Sequence, residues 1–367
     1  MSMNLQVSLR RALAPALSFA LLASVLASPA LADPVTVTDQ RGARLTLPKP
    51  AERIVSIPIP HASVIMAVDK SPARLVGIHP SARAAIELGL MGTIFPGSLA
   101  IRSDITSQGF MPNVETLLAL RPDVVVQWAN QGPDLISAVE RTGLPVIGVT
   151  YGTEAFIRGA ITMYGDLIGR PERAVELLAF RDAMKVRIDS ALSGVAESRK
   201  PRVLHLSAAM TTLQAAASGT YQDVMIDMAG GRNVAGGLRE FPAINAEQVV
   251  AWAPEVILLN GFEAQLFPEN IYRNPLFAGV PAVRDRRVYK LPIGGQRWDP
   301  PSHESPLTWL WQATLYHPDR IAMDLRAEMK TAYRLLYGHE LTEAEMDGIL
   351  RLTQHAQAKG YERFRAR

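Results

Sequence analysis

The chain of 367 residues contains no cysteine. A disulfide, a thiolate nucleophile, an iron–sulfur cluster and a cysteine zinc site are therefore excluded. Any metal must be bound by histidine, carboxylate or tyrosinate, or arrive in a ligand that supplies its own donor atoms. The remaining composition, 48% hydrophobic and 20% charged, is ordinary for a globular protein and excludes disordered, collagen-like and coiled-coil chains.

Long hydrophobic runs are scarce, and the clearest one lies near the N-terminus. Arg10 and Arg11 precede an apolar run over 12–27, and an Ala-Leu-Ala cleavage signal follows at 30–32. This pattern is typical of a secretory signal peptide, and the run is shorter than the roughly 20 residues that a bilayer crossing needs. We therefore predict a signal peptide over 1–32 and a soluble periplasmic protein without a lipid anchor. A retained N-terminal anchor is the alternative.

An excess of charge of either sign is also lacking. Without the two arginines of the predicted signal peptide, the formal net charge falls from +3 to +1. Lysines and arginines are scattered along the chain, and no nucleic-acid-binding motif is present. We therefore expect no nucleic-acid partner.

The pattern of strands and helices predicts two α/β lobes. About 335 residues beyond the predicted cleavage site exceed what one core usually holds. Alternating strands and helices indicate mostly parallel sheets flanked by helices. We predict an N-terminal lobe over 33–153, a helical connector over 154–200, and a C-terminal lobe with terminal helices over 201–367. The connector includes one long interdomain helix of about 25 residues over 172–197. A helical connector predicts hinge closure of about 10–20° or less.

The strongest internal signal is a pair of matching segments, 113–126 and 245–258. In each, an asparagine caps a short helix, a glutamate lies in its first turn, and a proline precedes a buried strand. Glu115 and Glu247 occupy the same position of this repeat. Either the two lobes each present one glutamate to a partner, or the two acids only stabilise helix ends, by ~0.3–1 kcal/mol each.

Candidate ligand-binding residues follow from the rule that ligands bind at the carboxyl ends of strands in open α/β sheets. The rule selects His61, His79, Trp128 and Tyr151 in the first lobe, and Met210, Gly261, Phe262, Arg297 and Trp298 in the second. Two further candidates are Arg102, in a polar, glycine-containing loop, and Tyr221, which opens the helix after the Gly219 turn. Aromatic faces suit a large chelate, and arginine matches carboxylate or catecholate oxygens. The set therefore favours an anionic metal chelate over a free ion.

Several segments resemble periplasmic iron-chelate and corrinoid binding proteins, a class III family with a helical backbone. In chain order these segments are Arg53–Ile57, Arg74–Ile78, Asn113–Val126, Thr142–Val146, Ala229–Ala235, Asn274–Leu276 and Arg287–Tyr289. The resemblance covers about Val35 to Leu350. The chain departs from it at Ala62-Ser63, where many relatives have Thr-Glu.

This resemblance implies a monomeric substrate-binding protein of an ABC importer, with the ligand held between two lobes and no cofactor of its own. It also implies that Glu115 and Glu247 dock onto arginines of a permease dimer in the inner membrane. Within the family, we predict that the cargo is a metal chelate, specifically a ferric siderophore. Haem or a corrinoid is the alternative, with Tyr151 or Tyr221 as a haem axial ligand.

Two alternatives belong to other classes of protein. One is a secreted hydrolase, although no G-x-S-x-G, P-loop, G-x-G-x-x-G or H-E-x-x-H motif is present. The other is a receptor for free zinc or manganese that uses His61, His79 and acidic residues. The sequence favours a binding protein over an enzyme, and a chelate receptor over a free-metal receptor.

Overall fold

The computed structural model describes Met1 and residues 33–107, 109–132 and 134–366. The predicted signal peptide, apart from Met1, lies outside the described residues. None of the described helices combines the length and apolarity that a membrane crossing requires.

An antiparallel hairpin precedes the first sheet. Its strands are β1 (Val35–Thr38) and β2 (Arg44–Leu47), paired with Val35 opposite Leu47. The Asp39 carboxylate lies in the turn and accepts a hydrogen bond from the Gly148 N–H at 2.8 Å. This bond attaches the hairpin to the first lobe.

The first sheet contains four parallel strands, β3 (Ile54–Ser56), β4 (Leu75–Ile78), β5 (Val124–Trp128) and β6 (Val146–Val149), in the spatial order β4-β3-β5-β6. Their hydrophobic runs are almost entirely buried, as expected for a parallel sheet covered by helices. The helices of this lobe are α1 (His61–Asp69), α2 (Pro80–Leu88), α3 (Met91–Ile94), α4 (Val114–Leu120) and α5 (Leu135–Glu140).

Two consecutive helices form the connector, α6 (Glu154–Leu167) and α7 (Pro171–Leu192). The turn between them contains Gly169 with a φ of +71°, which a residue without a Cβ adopts readily. The sequence predicted a helix of about 25 residues, whereas α7 has 22 because the chain turns at Ser193-Gly194. At 1.5 Å per residue α7 is about 33 Å long.

The second sheet contains β7 (Arg202–Ala208), β8 (Gln214–Ala215), β9 (Arg232–Asn233), β10 (Val256–Leu259) and β11 (Val288–Lys290). The spatial order is β11-β10-β7-β8, with β9 also paired to β7. All pairs are parallel except β7 with β8. Its helices are α8 (Tyr221–Met228), α9 (Ala246–Trp252), α10 (Pro268–Tyr272) and α11 (Pro281–Arg284).

Three terminal helices, α12 (Ser305–Tyr316), α13 (Leu325–Tyr337) and α14 (Glu343–Ile349), complete the fold. Every residue of α12 is buried, and this helix packs against α7, α8 and α13. The largest hydrophobic cluster includes Ile54 of the first sheet, Met184 of α7 and Leu258 of the second sheet. The predicted fold class, two α/β lobes joined by a long helix, is confirmed, and the predicted lobe boundaries stay a prediction.

Candidate functional site: a cavity between two sheets

A cavity of about 370 Å³ is lined by residues of both lobes. Most of them follow the carboxyl ends of parallel strands, where the sequence placed the site. The first wall consists of Ile59, Pro60, Phe110, Trp128, Gln131 and Tyr151, and the second wall consists of Ser207, Gln214, Gln222, Phe241, Phe262, Asp299 and Pro300.

The first wall is built on a cluster of edge-to-face aromatic rings. The ring centroid of Trp128 lies 6.0 Å from that of Phe110 and 6.2 Å from that of Tyr151, both at nearly perpendicular angles. His61 packs behind Trp128 at 5.2 Å, and its Nδ1 lies 2.6 Å from the Tyr164 hydroxyl. Burial lowers the pKa of His61 to about 3. The imidazole is therefore neutral at physiological pH and supports the indole.

The second wall is more polar and contains one buried acid. The Asp299 carboxylate accepts hydrogen bonds from the Gly261 N–H at 2.8 Å and from Gln222 Nε2 at 2.9 Å. One of its oxygens also lies 3.2 Å from His205 Nε2. Burial would raise the pKa of Asp299, but the contact with His205 and these hydrogen bonds lower it to about 2. Asp299 is therefore a carboxylate whose partners all belong to the protein.

Hydrogen bonds cross from one lobe to the other around the cavity. The Tyr151 hydroxyl donates to Gln222 Oε1 at 2.7 Å. Arg297 donates from Nη1 to the Ser81 carbonyl at 2.9 Å and from Nε to the Gly261 carbonyl at 3.0 Å. These contacts, together with the shared core, hold the two walls at a defined distance.

A further junction lies at the connector. Arg181 of α7 is 1% exposed, and it donates to the Glu154 carboxylate and to the Ser302 carbonyl at 2.6 Å each. The Tyr221 hydroxyl donates to the same Glu154 carboxylate at 2.7 Å. One guanidinium therefore joins α6, α8 and the chain before α12.

Three of the residues nominated from the sequence line the cavity, namely Trp128, Tyr151 and Phe262. The other nominated side chains are bonded elsewhere or point to solvent. Tyr221 belongs to the Arg181 junction, and Trp298 donates from Nε1 to Glu304 at 2.7 Å. His79 caps α2 by accepting from the Ser81 N–H. Met210 is exposed at the surface.

The two nominated arginines also form their contacts with other groups of the protein. Arg102 is exposed and forms an ion pair with Asp104, two residues along the chain. The guanidinium carbon of Arg297 lies 4.9 Å from the centroid of the Phe262 ring, and its donors reach backbone carbonyls. An anionic cargo was expected from these two arginines, and neither of them is free to bind it.

The remaining lining residues were not nominated from the sequence. Ser207 lies in β7 and Asp299 follows Trp298, so a stricter use of the strand-end rule would have found both. Phe110 lies in the loop before α4 and Phe241 in the long loop between β9 and α9, and no local sequence signal distinguishes these two from other aromatic residues in loops.

No three His, Asp or Glu side chains converge on a potential metal position anywhere in the described part of the chain. His61 and His79, which the free-metal alternative requires, bond to Tyr164 and to the Gly109 carbonyl instead. At the departure from the family pattern, Ser63 donates to the Pro60 carbonyl at 2.8 Å and Ala62 is buried.

A larger depression of about 510 Å³ lies beside α13 and the C-terminal segment. No strand end contributes to it. Its buried Arg326 pairs with Glu343 and Asp347, so the charge there stabilises the contact between α13 and α14. The cavity between the sheets is therefore the better candidate site.

The repeated helices α4 and α9 adopt the same local structure. Asn113 and Asn245 cap them by accepting from the N–H three residues later, and both helices end in a left-handed residue, Arg121 and Ala253, with φ of 44° and 45°. Glu115 and Glu247 are exposed in the first turn of each helix.

The exposed face of each helix is unusually apolar. Leu118 and Val250, three residues after each glutamate, are both 47% exposed, and the following alanine is exposed in both helices. A helix face turned to water normally contains polar residues. The two faces therefore have the composition of contact surfaces that each contain one acid.

Comparisons with known proteins agree with this architecture. Residues 106–293 match the family model described as periplasmic binding protein. A periplasmic solute binding protein from Veillonella parvula has a solved structure that is 30% identical, covers 89% of this chain and 99% of its own, and superposes with a TM-score of 0.79.

Two further relatives are the molybdate-binding protein MolA of Haemophilus influenzae and the ferric enterobactin-binding periplasmic protein FepB of Escherichia coli. MolA is 24% identical to this chain, over 88% of this chain and 95% of its own. The molybdate-bound structure of MolA has a TM-score of 0.73 and covers 84% of this chain and 99% of its own. FepB is 25% identical over 74% of this chain and 88% of its own. The chain therefore belongs to the periplasmic binding protein family, the substrate-binding proteins of ABC importers.

Proposed function

We propose that this protein binds a metal chelate, specifically a ferric siderophore, in the cavity between its sheets and delivers it to an ABC-transporter permease. The family is periplasmic and consists of binding proteins rather than enzymes. The proposal adds the class of cargo, the residues that contact it and the surfaces that deliver it. The protein performs no chemistry on the cargo.

The observation that supports a chelate is the aromatic lining of both walls. Phe110, Trp128 and Tyr151 face the cavity from the first lobe, and Phe241 and Phe262 face it from the second. Aromatic rings bind large, partly apolar surfaces and contribute little to the binding of a small hydrated ion. An organic chelate presents such a surface, and it encloses the metal in its own donor atoms.

Known relatives bind different cargoes, so the family alone does not give the ligand. MolA is named for molybdate and FepB for ferric enterobactin. The choice between these classes of cargo therefore depends on the residues that line the cavity. An aromatic cavity of about 370 Å³ lies within the 300–1,000 Å³ that is typical of small-molecule sites.

Haem ligation by tyrosine is disfavoured by the two candidate hydroxyls. The Tyr221 hydroxyl is bonded to Glu154 in the Arg181 junction, outside the cavity lining. Tyr151 lines the cavity, but burial raises the pKa of its hydroxyl, which also donates to Gln222. An axial tyrosinate would need a hydroxyl that loses its proton easily.

Delivery would use the exposed faces of α4 and α9. Each face offers one carboxylate, Glu115 or Glu247, beside one exposed aliphatic side chain, Leu118 or Val250. We infer that the partner presents a cation and an apolar contact to each helix, as a permease with two similar halves would. The apolar pair extends the docking role that the sequence suggested for the glutamates alone.

Tryptophan fluorescence tests the proposed cargo. Trp128 lines the cavity, whereas Trp298, Trp309 and Trp311 are fully buried and outside its lining. Titration with ferric chelates, haem, cyanocobalamin, molybdate and zinc should show saturable quenching with a ferric chelate. The Trp128→Phe variant should lose most of the quenching. Saturation by zinc or molybdate at stoichiometric concentration, without a response to any chelate, would refute the proposal.

A further inference from the structure

We propose that the part of the cargo enclosed by the cavity carries no net negative charge, so that the ligand class is an electrically neutral metal chelate. This inference rests on the proposed function and narrows it. It replaces the anionic chelate that the arginines suggested from the sequence.

The charge of the cavity lining supports the inference. Among the described residues that line the cavity there is no lysine, arginine or histidine, and the one charged side chain is the Asp299 carboxylate. The other polar groups are amides and hydroxyls, on Gln131, Gln214 and Ser207, whereas Gln222 is already bonded to Tyr151 and Asp299. The walls therefore offer hydrogen bonds and aromatic surface but no positive charge.

The basic side chain beside Asp299 and the two nominated arginines all contact other groups of the protein, and His205 Nε2 lies 3.2 Å from the Asp299 carboxylate. Arg297 stacks on the Phe262 ring, and its Nε and Nη1 donate to the carbonyls of Gly261 and Ser81. The positive charge of Arg297 also interacts with the negative charge of Asp299, so the two charges partly cancel at the second wall. Arg102 pairs with Asp104 at the surface.

An anion that entered this cavity would lose its hydration without gaining a cationic partner. Such desolvation is costly because the attraction that normally compensates for it is missing. The Asp299 carboxylate, the one charged group among the described lining residues, offers an anion no attraction. A neutral chelate avoids this cost, since its carbonyl oxygens can accept from amides while its apolar parts pack on the rings.

Calorimetric titration of the wild-type protein tests the inference with probes of different charge. Ferrichrome is a neutral ferric tris-hydroxamate, ferric enterobactin is a trianionic tris-catecholate, and molybdate is a dianion. We expect ferrichrome to bind at least about 100-fold more tightly than either anion. Equal or tighter binding of ferric enterobactin would overturn the inference and leave the proposed function intact. If none of the chelates binds, both proposals fail.

A charge change in the lining makes the test independent of the natural cargo. Gln131 lines the cavity and is exposed, so Gln131→Arg should fold normally and lower the ratio of ferrichrome to ferric enterobactin affinity by at least about 10-fold. Gln131→Glu should raise the same ratio. Gln357→Arg, an exposed position outside the lining, should leave it unchanged. An unaltered ratio in Gln131→Arg would contradict the inference.

Discussion

The outer helices of the two lobes are alike, whereas the two inner walls are not. α4 and α9 share their caps, their left-handed ends, an exposed glutamate and an exposed aliphatic residue. Aromatic residues make up half of the first wall, whereas the second combines two rings with amides, a serine, a proline and a carboxylate. The two helices therefore present similar exposed faces, whereas the two walls of the cavity differ in composition.

This difference indicates two kinds of partner. A partner built of two equivalent halves requires matched surfaces, because each half makes the same contacts. A small, asymmetric cargo has no such symmetry, and each wall can specialise in a different part of it. We therefore propose that the exposed faces of α4 and α9 contact the permease and that the walls of the cavity contact the ligand.

Charge reversal of the matched acids should have the largest effect. The double variant Glu115→Lys/Glu247→Lys should reduce permease-dependent uptake by more than about 100-fold, because attraction to the partner's cations becomes repulsion. Ligand affinity should stay within about twofold, because neither residue lines the cavity. Uptake and affinity are measured by radioactive iron accumulation and by fluorescence titration.

A matched control separates docking from general charge effects. Asp227→Lys/Asp319→Lys changes the net charge equally at exposed positions on other segments, and uptake should remain normal. Loss of ligand affinity in the Glu115/Glu247 variant would place these residues at the cavity and break the comparison.

Removing one ring from each wall should show that the walls contribute unequally. Trp128 is 3% exposed and contacts Phe110, Tyr151 and His61, so Trp128→Ala should weaken chelate binding by about 30- to 100-fold and cost about 3–5 kcal/mol of stability. Phe241 is half exposed and Phe241→Ala should cost only about 2- to 12-fold in affinity. Equal losses, measured by calorimetry at a temperature where both variants are folded, would show that the walls act alike.

Acidification should lower the free energy of unfolding, because three buried histidines are neutral in the folded protein. Burial lowers the pKa of His61 and His303 to about 3, and that of His355 to about 4. The unfolded chain binds more protons below about pH 6.5, so the free energy of unfolding should fall as the pH drops below that value, by up to about 2 kcal/mol per histidine at pH 5.

Glu304 acts in the opposite direction. Burial raises its pKa to about 7, although it accepts hydrogen bonds from Tyr337, Trp298 and Tyr333, so the stability it contributes at low pH is lost as the pH rises toward 7. The combined effect of three histidines is larger than that of one acid. Urea unfolding should therefore give a lower free energy of unfolding at pH 5 than at pH 7.5. Between pH 7.5 and pH 5, the free energy of unfolding of His61→Gln should fall by about 2 kcal/mol less than that of the wild type. If the wild type and His61→Gln lost the same free energy of unfolding between pH 7.5 and pH 5, His61 would not be buried as a neutral group.

The exposed aliphatic pair should have a smaller effect than the glutamates. Leu118→Ser/Val250→Ser should lower uptake by about 10-fold, since two partly buried aliphatic contacts would be lost at the permease. The melting temperature should not fall, because both side chains are already largely in water. Val175→Ser/Val186→Ser, exposed on α7, provides the matched control. Normal uptake in the first variant would limit docking to the two acids.

The fold could be read from the sequence because its signals are local. Buried strand runs, the proline breaks and the repeat at 113–126 and 245–258 specify elements and their order without long-range information. The predicted end of α7 lies too far along the chain because it ignores Gly194, which follows the last apolar residue closely and adopts a positive φ of 76°.

The site was harder to predict because it depends on which partner each side chain finds. Trp128, Tyr151 and Phe262 followed from the strand-end rule, but the same rule also selected Trp298, which is bonded to Glu304. Arg297 lies near the cavity as expected, yet its donors reach carbonyls of both lobes. Only the folded chain brings these acceptors within reach, so no spacing in the sequence reveals them.

Anomalous diffraction at the iron edge, from crystals of the protein saturated with ferrichrome, tests the central assignment most directly. We expect a single iron peak inside the cavity, between the rings of Trp128 and Phe262. A peak in the depression beside α13, or on the outer faces of α4 and α9, would contradict the assignment of the inner walls to the cargo.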